Sequence, residues 1–494
     1  MRGLLPHFSS PRYVGRIHLV TSLVMTEKTA AEECGNWWSR PCGGREVLAI
    51  ALPLVVSTMF WSIQWFVDRM FLMWHSSTEL PEMAAALPAG MAHWTLLCLP
   101  GGIASFVNTF VAQYHGAGKP ERIGLAVAQG VRLGWICTPL FLLAIPLAPY
   151  LFSGSANPAL AKLETDYFQY LAFGAGAVVI GNALSAYYTG RGVTRVVMFV
   201  QIGGTLVNVV GDYLLIFGAL GFPEMGIKGA AIATAAANWF TVATFMVLMR
   251  LSPDRELHGL ASGNRFDAPL FWRLLRFGAP GGLPMLVEAA SFTLLTHFVA
   301  EIGNAEGAAT GLAFNVNSIA FIPIFGVSIA VSTLVGQKLG ENRPHLAARA
   351  TWTSLVISLF YTSLFGLAYL LVPEFFLLAH GAFAQEAEFG RIRDLTIILL
   401  RFVTAYCIFD AMQLIFLGAL KGAGDTFFIL IATTTISLVF VTIGRLGQVY
   451  GQWGLFGWWW VLTAWLCTLA LVYLTRFLQG HWKAMRVIEH EVLP

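Results

Sequence analysis

The 494 residues are 57% hydrophobic and 12% charged, with mean hydropathy +0.68 and net charge +3. So little charge cannot cover the surface of a water-soluble protein of this length, and so even a balance offers nothing to a nucleic acid. Apolar runs near the roughly 20 residues that cross a bilayer as helix, not the ~10-residue alternating strands of a barrel, make this an all-α polytopic membrane protein, its partner the lipid bilayer.

In chain order, residues 1–45 are polar and irregular and read as a flexible cytoplasmic tail. "IHLVTSLVM" is too short and too polar for a signal-peptide core. Met25 opens a more ordinary leader, "MTEKTAAEECG", so either translation starts there or residues 1–24 are disordered. Twelve apolar segments follow, near 47–74, 84–113, 122–150, 164–188, 195–219, 227–250, 272–300, 308–337, 347–371, 394–419, 425–448 and 455–479. The polar stretch 250–273 parts them into two sets of six. The expected organisation is an N-lobe at 46–250, a cytoplasmic linker at 251–271, a C-lobe at 272–480 and a cytoplasmic tail at 481–494.

The two sets repeat each other. "TFVAQYHGAGKP" from Thr109 matches "TLVGQKLGENRP" from Thr333, with Thr, Val, Gln, Gly and Pro recurring at one constant offset. "GRGVT" from Gly190 matches "GAGDT" from Gly422 at nearly the same offset. Duplicated helical units are a mark of secondary transporters. With both termini in the cytoplasm, sixteen Lys and Arg fall on inner loops and the C-terminal tail and six on outer ends. Positive charge stays inside, so both termini are expected there.

Four acids interrupt the apolar segments: Asp68, Asp212, Glu288 and Asp410. Each costs about 2.5–3.5 kcal/mol at mid-bilayer, so together they must face a polar interior. Asn208 and Asp212 are four apart and share a helix face, as do Tyr406 and Asp410. Such pairs offer oxygen ligands to a small hard cation. Burial disfavours a charged carboxylate, so the same pairs could take up and release a proton. The alternative is that Tyr406 merely satisfies Asp410.

At these residues the chain resembles the MATE family (multidrug and toxic compound extrusion), closest to its NorM-like branch, over residues 45–480. "ALPLV…VDRMF", "VAQYHGAGKP", "GRGVT", "NVVGDYLLIFG", "GIKGAAIAT", "LVGQKLGENRP" and "FDAMQLIFLGALKGAGDT" carry the resemblance. It implies two six-helix lobes in a V around a central cleft and secondary active efflux of drug-like compounds by alternating access, in antiport with Na⁺ or H⁺. It implies no other cofactor, and a monomer in the cell inner membrane. It places an N-lobe ion site at Asp68, Asn208, Asp212 and Thr234, and a C-lobe acid site at Glu288, Tyr406 and Asp410. Arg69, directly after Asp68, departs from that pattern; it need not pair with Asp68, because helix neighbours point about 100° apart.

Trp61, Trp65, Trp94 and Phe325 are candidates to line a cleft for organic cations through cation–π contacts, the alternative and commoner place for such aromatics being the lipid face or the interface. Trp458–Trp460 read as an outer aromatic belt. Pro53, Pro100, Pro139, Pro146, Pro280, Pro284 and Pro323 fall within or at the ends of helices and mark kinks. His93 and His297 read as hydrogen-bonded inward residues, and Arg132 and Arg401 as reaching an interface or an acid. Six cysteines include no CxxC pair, and four lie in apolar segments as buried thiols. No ATP motif is present, since "HGAGKPERIG" lacks the first P-loop glycine and the Ser or Thr. The "GAGD" at Gly422 has the form of an intramembrane aspartyl protease motif, but "PAL" at Pro158 precedes it instead of following. Asp425 is therefore expected to cap a helix, and no enzyme is expected. The nearer rival, a flippase or exporter of lipid-linked or polysaccharide substrates, would want a cationic cleft.

Overall fold

The computed structural model describes residues 36–76, 82–155, 157–260, 265–381 and 386–489. The expectations for residues 1–24, for Met25 and for Cys34 lie outside the described residues. Twelve helices among the described residues are long and apolar enough to cross a membrane. They are α1 (Gly44–His75), α2 (Glu82–Gly116), α3 (Pro120–Leu151), α4 (Pro158–Thr189), α5 (Thr194–Ile216), α6 (Ile227–Leu251), α7 (Ala268–Ala300), α8 (Asn304–Gly340), α9 (Pro344–Leu371), α10 (Gly390–Ala423), α11 (Thr426–Gly451) and α12 (Leu455–Gln479). α2 breaks at Phe106, and α3 ends in shorter helical turns. No strand occurs among the described residues.

In the first half α4 packs on α2, α3 and α6, while α5 packs on α1 and α6. In the second half α10 packs on α8, α9 and α12, while α11 packs on α7 and α12. Adding six to each helix number converts one pattern into the other. The seam between the halves obeys the same rule, because α1 meets α8 and α7 meets α2. Such self-complementary contacts are what a two-fold relation between repeats produces.

The repeated motifs build this seam. Gly118 (φ +67°) and Asn342 (φ +58°) hold equivalent places in the two motifs and take the left-handed conformation that ends α2 and α8. Glycine adopts it freely and asparagine tolerates it. Pro120 and Pro344 then start α3 and α9, where a missing N–H costs nothing. A Cβ on Gly116 would run into the Gln337 carbonyl, and one on Gly340 into the Gln113 carbonyl. With the backbones so close, Gln113 Nε2 donates to Gly422 O (3.1 Å) and Gln337 Nε2 donates to Gly190 O (2.8 Å). Each repeat thus reaches with its glutamine for the glycine turn of the other. Asn108 and Thr333 join beside them (3.1 Å), and Thr109 Oγ1 donates to Lys421 O (3.3 Å). Among the described residues, the hydrogen bonds and ion pairs between the halves lie between mid-span and the end that carries the linker. Thr58 with Ile322 O (3.4 Å) is the one nearest mid-span.

Several side chains depart from expectation. Trp458 and Trp459 do not form a belt: both are buried, against Phe298 and Phe314. Trp460 alone of the three is exposed. Helical periodicity turns consecutive residues to different faces, so a run of three cannot all meet lipid. Asp425 makes no cap hydrogen bond. Its carboxylate accepts from Arg476 Nε (2.7 Å) and Nη2 (3.3 Å) of α12 instead, a stronger charge-assisted partner. His93 faces inward, edge-on to Phe168, but its Nδ1 has no hydrogen bond. His297 does not face inward: it is exposed and pairs with Glu301 (3.5 Å) one turn on. Arg132 reaches the linker, donating to Arg265 O (2.7 Å), whereas Arg401 is exposed. Cys42, Cys98, Cys137 and Cys407 are buried free thiols, and Cys467 is partly buried.

Candidate ion site and cleft

α1 and α5 pack side by side, and α6 closes on α5. Gly211 permits that closure, since a Cβ there would stand 3.0 Å from the Ala233 Cβ. Asp68 from α1, Asn208 and Asp212 from α5 and Thr234 from α6 meet at the junction. Asp68, Asn208 and Asp212 are buried, Asn208 and Asp212 completely. The Asn208 amide nitrogen lies 2.9 Å from Asp68 Oδ1 and 3.2 Å from Asp212 Oδ2 and donates to both. Its oxygen accepts from Thr234 Oγ1 (3.2 Å), which also stands 3.4 Å from Asp68 Oδ2. Asp212 Oδ1 is buried with no hydrogen-bond partner.

The group therefore gathers two carboxylates, one amide and one hydroxyl, with no cation of its own. Arg69 makes no ion pair there: its guanidinium lies over the Trp65 ring, 5.7 Å from the centroid, and its charge reaches Asp68 only through space. Neutral donors can orient two carboxylates but cannot cancel their charge. A proton or a small cation would, and an all-oxygen set suits a hard ion. Among the described residues no cluster of three or more His, Cys, Asp or Glu would hold a metal.

The second-half residues are assembled differently. Asp410 and Tyr406 are buried on α10. No hydrogen bond joins them, and Tyr406 packs on Trp459 at 6.5 Å. The partner of Glu288 is Gln413, whose Nε2 donates to Glu288 Oε1 (3.2 Å). Asp410 repels the Glu288 charge and Lys421 attracts it, so the three form one electrostatic group. Gln413 stands three residues after Asp410 on the same helix face, a spacing visible in the sequence but not used there. Tyr167 of α4, buried beside the Asp68–Asp212 pair, gave no such signal, because the acids it stands beside belong to other helices.

Three of the aromatic candidates come together. Trp61 lies edge-on to Trp65 (5.9 Å) and tilted against Trp94 (5.5 Å). Trp61 is exposed and the other two half-buried. Phe325 stands apart on α8, partly exposed and stacked on Phe321 (6.4 Å). Next to it Gly326 lies against Val55 of α1, so α8 and α1 are in contact just where these aromatics begin.

The MatE family model matches residues 53–214 and 280–444, one stretch in each six-helix half. The fold is similar to that of the eukaryotic MATE transporter AtDTX14, with TM-score 0.78 and 19% identity over 89% of this chain and 96% of that one. It is similar also to an outward-facing multidrug resistance MATE family transporter of the MOP superfamily (TM-score 0.80, 19% identity, 89% and 96% covered). A MOP superfamily transporter from Pyrococcus furiosus matches at TM-score 0.80 and 20% identity, again over 89% and 96%. Both halves of the duplicated fold are matched by the family model, and the chain belongs to the MatE family of membrane transporters.

Proposed function

We propose that this transporter is a multidrug efflux antiporter, exchanging organic cations for Na⁺ or H⁺ by alternating access. The observation that carries this reading is the buried Asp68–Asn208–Asp212–Thr234 group with its unpartnered Asp212 Oδ1. Two carboxylates so placed in an apolar surround favour taking up a positive charge. α1 also carries Trp61 and Trp65, one to two turns from Asp68, so a cation at the acids and a cation on the rings bear on one helix. The Glu288–Gln413 pair with Asp410 is a second candidate for the coupling ion.

Vesicles loaded with ethidium and free of ATP should export it when an inward Na⁺ or H⁺ gradient is imposed. Transport that survives collapse of both gradients and answers to ATP would refute the reading.

The sixteen-to-six distribution of Lys and Arg supports cytoplasmic termini. Leu220, in the loop between α5 and α6, and Leu257, between α6 and α7, are both exposed. An impermeant maleimide added to intact cells should label Leu220→Cys and spare Leu257→Cys. The opposite pattern inverts the topology.

A further inference from the structure

Past α12 the chain does not leave the molecule. Trp482 is buried, stacks on Phe477 at 4.8 Å and donates its Nε1–H to Phe477 O (2.8 Å), which turns the chain back beneath the helices. Val487 and Ile488 are buried in turn. Val487 packs over Gly424, where a Cβ would strike it, in the turn between α10 and α11. Its N–H donates to Gln113 Oε1 (2.8 Å) of the first half, and its carbonyl accepts from Arg273 of the second. Glu489 is held by Arg122 (3.0 Å) and Tyr114 (3.2 Å) of the first half and by Arg273 (3.3 Å) of the second. Arg486 donates to Asn342 Oδ1 (3.4 Å).

We propose that residues 485–489 are a strap that holds the two halves together at the linker end and must let go of one half for the seam to open there. The inference rests on the alternating-access reading. Gln113 is the joint: its nitrogen holds Gly422 across the seam while its oxygen holds the strap. Parting the halves strips both bonds from one amide at once, which opposes opening. Arg122 and Arg273 stand on opposite halves, so the Glu489 carboxylate bridges the seam by charge. Burial alone would push that carboxyl up, but Arg122 and Arg273 outweigh burial and hold it below the usual carboxylate range. The strap therefore keeps its charge at any cytoplasmic pH.

The test reads opening and not transport, so it stands even where efflux fails for another reason. Thr109→Cys places a thiol in the closed seam, since Thr109 is 1% exposed. In inside-out vesicles of the full chain, a soluble maleimide should label it slowly. Adding Glu489→Gln, or Val487→Pro to remove the N–H, should speed labelling about tenfold. Cys137, buried inside the first half, should stay unlabelled, as read for each cysteine by mass spectrometry. Glu489→Arg should also speed labelling, and Arg273→Glu added to it should slow labelling again. Unchanged labelling of Thr109→Cys in the strap variants would overturn the proposal. So would a matching rise at Cys137, which marks general loosening, or a failure of the charge swap to restore slow labelling.

Discussion

Asp212→Asn is expected to lose at least about nine-tenths of ion-driven efflux while still inserting and folding. Asn keeps an oxygen of the same reach but cannot bind a proton or supply a full negative charge. Neutralising a buried acid also lowers its desolvation cost, so the variant should melt no lower than the parent in detergent. Asp68→Asn should behave alike, because Asn208 ties both carboxylates to one amide. Thr234→Val should cost less, since Thr234 contributes one hydroxyl and no charge. The comparison variant is Asp410→Asn. If efflux survives that change and fails in Asp212→Asn, the first half alone carries the ion, and the Glu288–Gln413 group serves structure or substrate. Wild-type efflux from Asp212→Asn and Asp68→Asn together would remove the argument for this site.

Asp425→Asn is expected to destabilise the protein by about 2–3 kcal/mol, less than the ~3–5 kcal/mol for a fully buried ion pair that loses one partner, because Arg476 is partly exposed. Asn is as good a helix cap as Asp, so a capping role would leave the melting temperature unchanged. Asp425 is instead buried against Arg476, two hydrogen bonds joining α12 to the start of α11. Losing the carboxylate leaves a guanidinium, only 21% exposed, without its partner. Arg476→Gln added to Asp425→Asn should recover part of the loss in a double-mutant cycle. A melting temperature that does not move in the single variant would return Asp425 to the role of a cap.

The twelve helices were legible in the sequence because each must satisfy its backbone within itself and turn apolar side chains outward over some 20 residues or more. The duplication was legible for a different reason. "VAQYHG" and "VGQKLG" keep residues that neither apolar packing nor helix propensity demands. The structure shows what each does: glycines where backbones touch, glutamines that cross the seam, and prolines that start the next helix. The grouping of Asp68 with Asn208, Asp212 and Thr234 drew on the family resemblance, since the i, i+4 spacing relates only Asn208 to Asp212. Less could be read where contact depends on packing between distant helices. Nothing in the run "GWWWVL" sets which ring is buried, so Trp458 and Trp459 gave no sign of facing inward. Glu489 looked like one more charge in a polar tail, because Arg122 and Arg273 belong to helices far from it along the chain. Tyr406 and Asp410 illustrate the opposite limit: correct spacing on one face does not by itself make a hydrogen bond.

Ion displacement is the most direct test of the claim that a cation at the buried acids and a drug on the neighbouring rings are coupled. Reciprocal linkage requires that if bound ion weakens drug binding, bound drug expels ion by the same factor. Tetraphenylphosphonium would be added to purified protein in weakly buffered detergent, with released H⁺ followed by an indicator and released Na⁺ by an electrode. About one cation released per protein molecule, absent in Asp212→Asn, is the expected result. Tetraphenylphosphonium binding that releases neither ion, with an affinity indifferent to both Na⁺ and pH, would contradict the account.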